Sequence, residues 1–471
     1  MSGLIGNLLN ATKSLAVQQS GVEVAARNLA NINNPAYSRQ RVELGDRVMV
    51  DSKLGPIGNG VEVLSIQQIR DQFLDVAVTR EASQTGLLQA QQSGLQRAQT
   101  ALGEQVDTSS SSGSINADTS STNGIGASLN SFFNSFDELA ASPLDAGAKQ
   151  VLLQRADTLA NKVNVTDERL STLQSDLTQE VRVGTDKVNS ILSQVAELNG
   201  QIQKFEIRTP NSALELRDQR QAKLEELSKY IDFSAPVIPG AFGQIQIIAK
   251  DTSGGDVVLV DKVSVTGGVS FDGTKISGGA PSKPLGLQGG ALKGQLSVRD
   301  GAIQQLREDL KRTADQVASS VNAAYGVTGS NFFQVPPATG LLALDPTLSF
   351  STLKTSVTGD AGANDVALAV ADIGRTTFST GAGAAIDGTI GAFFTKTVSG
   401  LGESLHSTNS KLADQTLIEQ MTTKSRDSVS AVSMDEEMGD LMKFQRSYQA
   451  SARVVRVMDE MLNDLINNTF N

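Results

Sequence analysis

The chain has 471 residues and a formal net charge of −11, with no cysteine, no tryptophan, one histidine and only 4% aromatic residues. These counts exclude disulfides, iron–sulfur clusters, thiolate zinc sites and multi-histidine metal sites. They also argue against a nucleic-acid backbone or an anionic membrane surface as the main partner. The length allows about two to four domains, packed mainly by small aliphatic side chains.

The opening MSGLIGNLLNATKSLAV has one lysine and no basic stretch before an apolar run, so it does not read as a cleaved signal. No stretch approaches the roughly eighteen apolar residues of a membrane span. Instead Leu4, Leu8, Ala11, Leu15, Gln18, Val22, Ala25, Leu29 and Ile32 alternate steps of four and three. That spacing predicts a helix with a narrow stripe that needs a partner helix to cover it. Asn33-Asn34-Pro35 ends it, because proline removes a donor and forces its predecessor out of the helical region.

Residues 42–66 alternate loosely between glycine-rich turns and predict short strands, followed by helix over 67–105. Residues 107–124 are serine-rich and read as a linker. Helix is predicted from Leu129 to Phe205, broken at Ser142-Pro143, with Gly184 a second candidate break. Its seam runs through Leu159, Val163, Thr166, Leu170, Leu173 and Leu177 and on through Val188, Ile191, Val195, Leu198, Ile202 and Phe205. Arg208-Thr209-Pro210 ends that rod, and Leu214 to Tyr230 supplies another helix.

From Phe233 to Leu287, alternating or continuous apolar runs between glycine turns predict a small β domain. Helix returns over Leu292 to Ala324, glycine-rich sequence follows to about Gly391, and helix runs to the end. The last helix, Met434 to Ile466, again carries a four-and-three stripe: Leu441, Phe444, Tyr448, Ser451, Val455, Met458, Leu462 and Leu465. At 1.5 Å per residue the two terminal helices would span about 43 Å and about 50 Å, close enough to pair.

The expected fold is mainly α with inserted small β domains, paired terminal helices of the coiled-coil kind and a long helical-bundle shaft. The domain limits are 1–66 for the terminal helix and extended segment and 67–230 for the shaft with its linker at 107–124. A small β domain at 231–290 and a returning helix at 291–326 follow. A second glycine-rich insertion, a candidate β unit, occupies 327–391, and 392–471 completes the shaft and terminal pair.

Catalytic chemistry has no foothold. There is no phosphate loop and no nucleophile elbow, and His406 lies in a polar helical stretch that reads as solvated surface. Asp435-Glu436-Glu437 opens a helix, where carboxylates favour the positive dipole end. No enzyme activity, cofactor or metal is expected.

The residues Asn28-Leu29-Ala30-Asn31-Ile32-Asn33-Asn34-Pro35-Ala36-Tyr37-Ser38-Arg39-Gln40 resemble the Asn-x-Ala-Asn-x-x-Thr-Pro-Gly-Tyr pattern of the bacterial flagellar axial proteins. Asn34 and Ala36 depart from it at the threonine and glycine. The Ser-Arg-Gln that follows resembles the hook–filament junction family within that group, as do Phe132-Phe133, Glu138 to Pro143, Asp218-Gln219-Arg220, Arg299-Asp300 and Val321-Asn322. Gln221 stands where an aspartate is common. At the other end, Met434-Asp435-Glu436-Glu437-Met438 and Phe444 to Val454 are similar to the family's closing helix.

The resemblance implies a structural subunit of the flagellum, secreted unprocessed by type III export and stacked as a helical ring of identical copies between hook and filament. Its partners would be itself, the hook protein, the next hook-associated protein and an export chaperone at the carboxyl helix, with no nucleic acid and no membrane. Assembly would rest on Leu8, Leu15, Val22 and Leu29 with Phe444, Tyr448, Val455, Met458 and Leu462. Asn28, Asn31, Pro35, Tyr37 and Arg39 would shape the turn, Tyr37 with its ring buried and its hydroxyl in water. In the free subunit the two seams are expected to be unpaired. Hook and distal-rod proteins are the nearest alternatives, and a secreted coiled-coil adhesin is the alternative from another class.

Overall fold

A computed structural model describes residues 2–46, 50–52, 55–57, 60–103, 124–334, 337, 340–358, 360 and 362–469. The serine-rich linker expected at 107–124 lies, but for Gly124, outside the described residues.

Helix α1 spans Ser2–Ala30 and leads into a two-stranded antiparallel ribbon of β1 (Gln40–Asp46) and β4 (Val61–Gln68), with the short pair β2 (Val50–Ser52) and β3 (Gly55–Ile57) between them. Helix α2 (Gln72–Leu102) follows, then α3 (Ile125–Ala141) and the 61-residue α4 (Ala146–Glu206). Ser142-Pro143 separates α3 from α4, as the sequence predicts. Gly184 does not break α4: its neighbours Val181, Thr185 and Val188 are buried, so packing offsets the roughly 1 kcal/mol that a helical glycine costs. Phe205, read as seam, is 63% exposed, because α4 turns Glu206 inward to an arginine instead.

Helix α5 (Leu214–Ser228) precedes the β domain. There β5 (Gln246–Lys250), β6 (Asp256–Asp261) and β7 (Ser264–Val265) make one antiparallel sheet, and β8 (Val269–Phe271), β9 (Ile276–Gly278) and β10 (Lys283–Pro284) another. Helix α6 (Ala291–Ser297) continues through a π-helical turn at Val298–Ile303 into α7 (Gln304–Tyr325). The candidate β insertion at 327–391 contains no strand among its described residues. It holds α8 (Asp365–Ile373), short 3₁₀ turns and isolated bridges such as Phe333 to Leu344. Its apolar residues are spent on the interior: Phe332, Phe333, Leu342, Leu353 and Val370 are all buried. Helices α9 (Ile390–Ser430) and α10 (Met434–Thr469) end the chain. Among the described residues no helix is long and apolar enough to cross a membrane, and no group of acidic and histidine side chains is arranged to hold a metal.

The chain divides into two compact units, one of Met1–Gln84, Lys187–Leu287 and Thr416–Asn471, the other of Thr85–Asp186 and Gln288–Gln415. This division differs from segment-wise limits at 66, 230 and 391 because α2, α4 and α9 each run through both units. Long helices hide such boundaries from a reading that looks for loops. The second unit is built around Phe132, whose ring meets Phe136 edge-on at 5.3 Å and lies 5.9 Å from Phe332. Asn322 fixes the segment carrying Phe332 and Phe333 by accepting both their N–H groups and donating to the Phe333 carbonyl. In the same way Asn164 of α4 accepts from Leu341 and Leu342 and donates to the Leu342 carbonyl.

Candidate functional site

The first unit brings the two ends of the chain together. Helices α1 and α10 run antiparallel, with three contacts in register at seven-residue steps on both. Ser14 Oγ is 3.3 Å from Ser451 Oγ, Gly21 lies against the Phe444 ring, and Asn28 donates to Glu437. A repeat of seven is the coiled-coil period. Gly21 makes the close approach possible, since a Cβ there would sit 2.6 Å from the ring.

The line of α1 that meets α10 is therefore Ser14, Val17, Gly21, Val24 and Asn28, one residue earlier than the apolar stripe. Leu8, Leu15, Val22 and Leu29 flank it, half-buried, and α1 packs also on β1 and β4. The contact line is offset from the apolar stripe because three of its five positions, Ser14, Gly21 and Asn28, carry little hydropathy signal. On α10, Phe444, Val455, Met458 and Leu462 are half-buried along the contact line. Tyr448 is 41% exposed, with Ser447 turned inward in its place. The side chain of Leu465 lies outside the described residues. The two seams are paired within a single chain.

Past the end of α1 the chain is built of small turns. Asn31 Nδ2 donates to the Arg27 carbonyl, Asn34 N–H donates to the Asn31 carbonyl, and Asn34 Oδ1 accepts from Ala36 N–H. Pro35 is exposed at the bend. The turns swing Tyr37 back onto α1, where its hydroxyl donates to Asn28 Oδ1 at 2.8 Å. The hydroxyl is thus buried and not wet, and burial pushes the Tyr37 pKa up to about 12.

Asn28, 1% exposed, uses its whole hydrogen-bonding capacity. Oδ1 also accepts from Gln40 N–H at 3.0 Å, and Nδ2 donates to the Gln40 carbonyl and to Glu437 Oε2, both at 2.9 Å. One amide thereby fixes the end of α1, the start of β1 and the first turn of α10.

Arg39 completes the clamp. Its Nε donates to Glu437 Oε1 at 2.6 Å, Nη1 to Glu436 Oε2 at 2.5 Å, and Nη2 lies 3.8 Å from Asp440 Oδ2. Its backbone N–H donates to the Ser430 carbonyl at the end of α9. Burial opposes the Arg39 charge, but Glu437 and Glu436 outweigh it and hold its pKa above the usual arginine value. Glu436 and Glu437 stand in the first turn of α10, where the dipole favours them. The sequence reading stopped at that role and missed both as partners of Arg39, along with Gln40. The signal was available in two motifs, one at each end of the chain, carrying opposite charges.

Beneath the clamp lies a second buried charge group. Ser38 N–H donates to Asp218 Oδ2 at 3.3 Å; Arg70 Nη1 is 3.5 Å from Asp218 Oδ1, and Arg70 Nε is 2.9 Å from Asp75 Oδ2. Burial pushes the Asp218 pKa up to about 6, the arginine only partly opposing it. Arg426 of α9 donates to Glu225 of α5 at 2.7 Å. Nothing here resembles a nucleophile paired with a base, and the arrangement suits fixing one segment against another.

Residues 113–333 match the family model described as the flagellar hook-associated protein FlgK helical domain, and residues 425–468 match the flagellar basal body rod FlgEFG protein C-terminal model. The chain is 27% identical to "Flagellar hook-associated protein 1" of Bacillus subtilis (strain 168), over 99% of each chain. It is 30% identical to the protein of the same name from Salmonella typhimurium, over 51% of this chain and about two fifths (40%) of that one. Among solved structures, the flagellar hook junction protein FlgK from Burkholderia pseudomallei aligns with 55% of this chain and 46% of its own at 20% identity, with a TM-score of 0.46.

Proposed function

From the premise that this chain belongs to the flagellar hook-associated protein FlgK family, we propose that it is a structural subunit of the hook–filament junction, assembled as a helical ring of identical copies. Its neighbours in the axial structure would be the hook protein on one side and the next hook-associated protein on the other, after type III export with a chaperone on α10. The observation that supports this reading is the clamp of Asn28 and Arg39 on Glu437. It sets a terminal helix pair whose apolar surface one chain leaves largely uncovered.

That uncovered surface has a pattern. At roughly 100° per residue, Met438 and Met442 lie on one flank of the α10 contact line, and Val454, Val457 and Met461 on the other. All five are exposed. A helix flanked on both sides by apolar residues suits contacts with two neighbours, as head-to-tail copies on a screw axis require. Leu8, Leu15, Val22 and Leu29, half-buried beside the α1 line, would join such contacts, and Tyr448, exposed, would reach outward.

The test is complementation of a host lacking its own copy with the full chain carrying Leu15→Asp or Val455→Asp. A charge on the pair should leave hooks without filaments, with the variant absent from isolated hook–basal bodies by immunolabelling. Filaments of normal number and a normally labelled junction would sink the proposal.

A further inference from the structure

The first unit also contains a cleft of about 770 Å³ that the clamp does not use. Its walls come from the start of α2, the end of α4, α5 and the loop before β5, and Val76, Leu224, Phe233, Pro236, Val237 and Phe242 make it mainly apolar. The loop is held stiff from behind. Buried Arg220 donates through Nη1 to the Gly243 carbonyl at 2.7 Å and to Asn199 Oδ1 at 2.8 Å, while Arg217 bridges Glu206 at 2.8 and 2.7 Å. Burial lowers the Arg220 pKa to about 10, still charged at neutral pH.

Phe242 is held at φ 50 between Gly240 and Gly243, a left-handed conformation that a bulky side chain adopts only under constraint. That strain holds an apolar ring at the mouth, 42% exposed, beside exposed Val76 and Val237. The cleft walls carry Arg70, Arg217 and Arg220 against Asp75 and Glu206, one positive charge in excess on a chain whose net charge is −11.

The same unit carries a surface of opposite character. The β1–β4 ribbon has only two strands, too few to be stable without packing. One part packs on α1; Leu44 and Val61 stand exposed on one face of the ribbon, and Leu64, against Gly45, on the other. Its strands hold Glu43 and Glu62 against Arg41. Leu44, Val61 and Leu64 are not among the residues lining this chain's own cleft.

We infer that the cleft of one copy receives the Leu64 face of the β1–β4 ribbon of a neighbouring copy, with Leu64 entering between Val76, Val237 and Phe242. This rests on the reading of the chain as an assembling subunit. Each copy presents one ribbon and one cleft, which is the heterologous contact that a helical array repeats. The charges are opposite in sign, and both apolar surfaces are covered in one step.

A chain with no cysteine makes the test direct. The full chain carrying Leu64→Cys and Val237→Cys is assembled in a host lacking its own copy, and isolated hook–basal bodies are oxidised and run without reductant. Interchain adducts of this protein are expected in the double variant and in neither single one, with the unassembled protein staying monomeric. Should the first pair fail to assemble, Glu62→Cys with Val76→Cys places the thiols elsewhere on the same two surfaces and should give the same adducts. Bodies that label for the variant yet yield only monomer would overturn the inference, as would an adduct with a protein of different mass. Absence of the unsubstituted chain from the bodies would overturn the earlier reading, and this inference with it.

Discussion

The interior of the second unit and the α1–α10 seam of the first are both made by helices meeting, yet they are finished differently. Around Phe132 the contact is closed: Phe132, Phe136, Phe332, Phe333 and Tyr325 are all essentially without solvent exposure. Among the described side chains of α10 no apolar residue of the contact line is fully buried, and the fully buried position is Glu437. The difference separates what holds one chain in shape from what is left for another chain to cover. Alignment of the pair rests on polar groups, and those must be matched one to one.

The comparison is broken most severely by Phe132→Ala. Emptying the centre of the aromatic group should cost the second unit about 3–5 kcal/mol, seen as a lower midpoint in chemical denaturation. The α1–α10 pair lies in the other unit and should keep its hydrogen-exchange protection. Loss of protection at both places together would show that the two units do not stand independently.

Next comes Glu437→Ala, which leaves Asn28 Nδ2 with the Gln40 carbonyl alone and removes the acceptor of Arg39 Nε. Breaking a buried pair of this kind costs about 3 kcal/mol. Exchange should become fast from Val17 to Gln40 and across the first turns of α10, while the aromatic unit stays protected. Unchanged protection in α1 would mean that the clamp does not hold the pair.

Asp218→Asn sharpens the comparison through pH. Folding raises the Asp218 pKa to about 6 from its ordinary 3.8, so the folded state binds the proton more tightly than the unfolded chain. The favourable contribution is fully present below about pH 3.8 and is lost as pH rises through about 6. Relative to the asparagine variant, the parent chain should therefore lose on the order of 2 kcal/mol between pH 4 and 6. Denaturation midpoints of the two measured across that window should diverge as pH rises, and parallel curves would refute the assignment.

Much of this was legible in the sequence. Helix limits at Pro35, Pro143 and Pro210, the β domain and the pairing of the ends follow from proline, glycine turns and period. What failed did so where polar or small residues decide the contact. The α1 line was placed one residue late because Ser14, Gly21 and Asn28 give hydropathy nothing to count. The burial of the Tyr37 hydroxyl is not legible in the sequence because its acceptor, Asn28, lies nine residues back and meets it only after the turn folds. The glycine-rich, mixed sequence of 327–391 suggests a β insertion, whereas its buried apolar residues serve the aromatic interior and its described residues form no strand. Glu437 looked sufficient as a helix-dipole residue, and nothing local reveals a partner almost four hundred positions away.

Gly21→Ala is the smallest change and the one whose sign must be decided by magnitude. Alanine favours a helix interior over glycine by about 1 kcal/mol, which by itself would stabilise α1. Its Cβ, however, would lie 2.6–2.7 Å from three atoms of the Phe444 ring, nearer than carbon atoms approach. Forcing extra volume into a fitted contact costs about 1–3 kcal/mol. Phe444 is only half-buried, so its ring can swing part of the way out, which keeps the cost towards the lower end. The net expectation is a loss of about 1 kcal/mol, read as faster exchange in the middle of α1 with the Asn28 clamp still protected. Pairing the change with Phe444→Leu, which removes the ring, should return the alanine gain and make the double variant more stable than Phe444→Leu alone. If Gly21→Ala stabilises the pair in the presence of Phe444, the two helices do not approach at Gly21 and the seven-residue register fails at its centre.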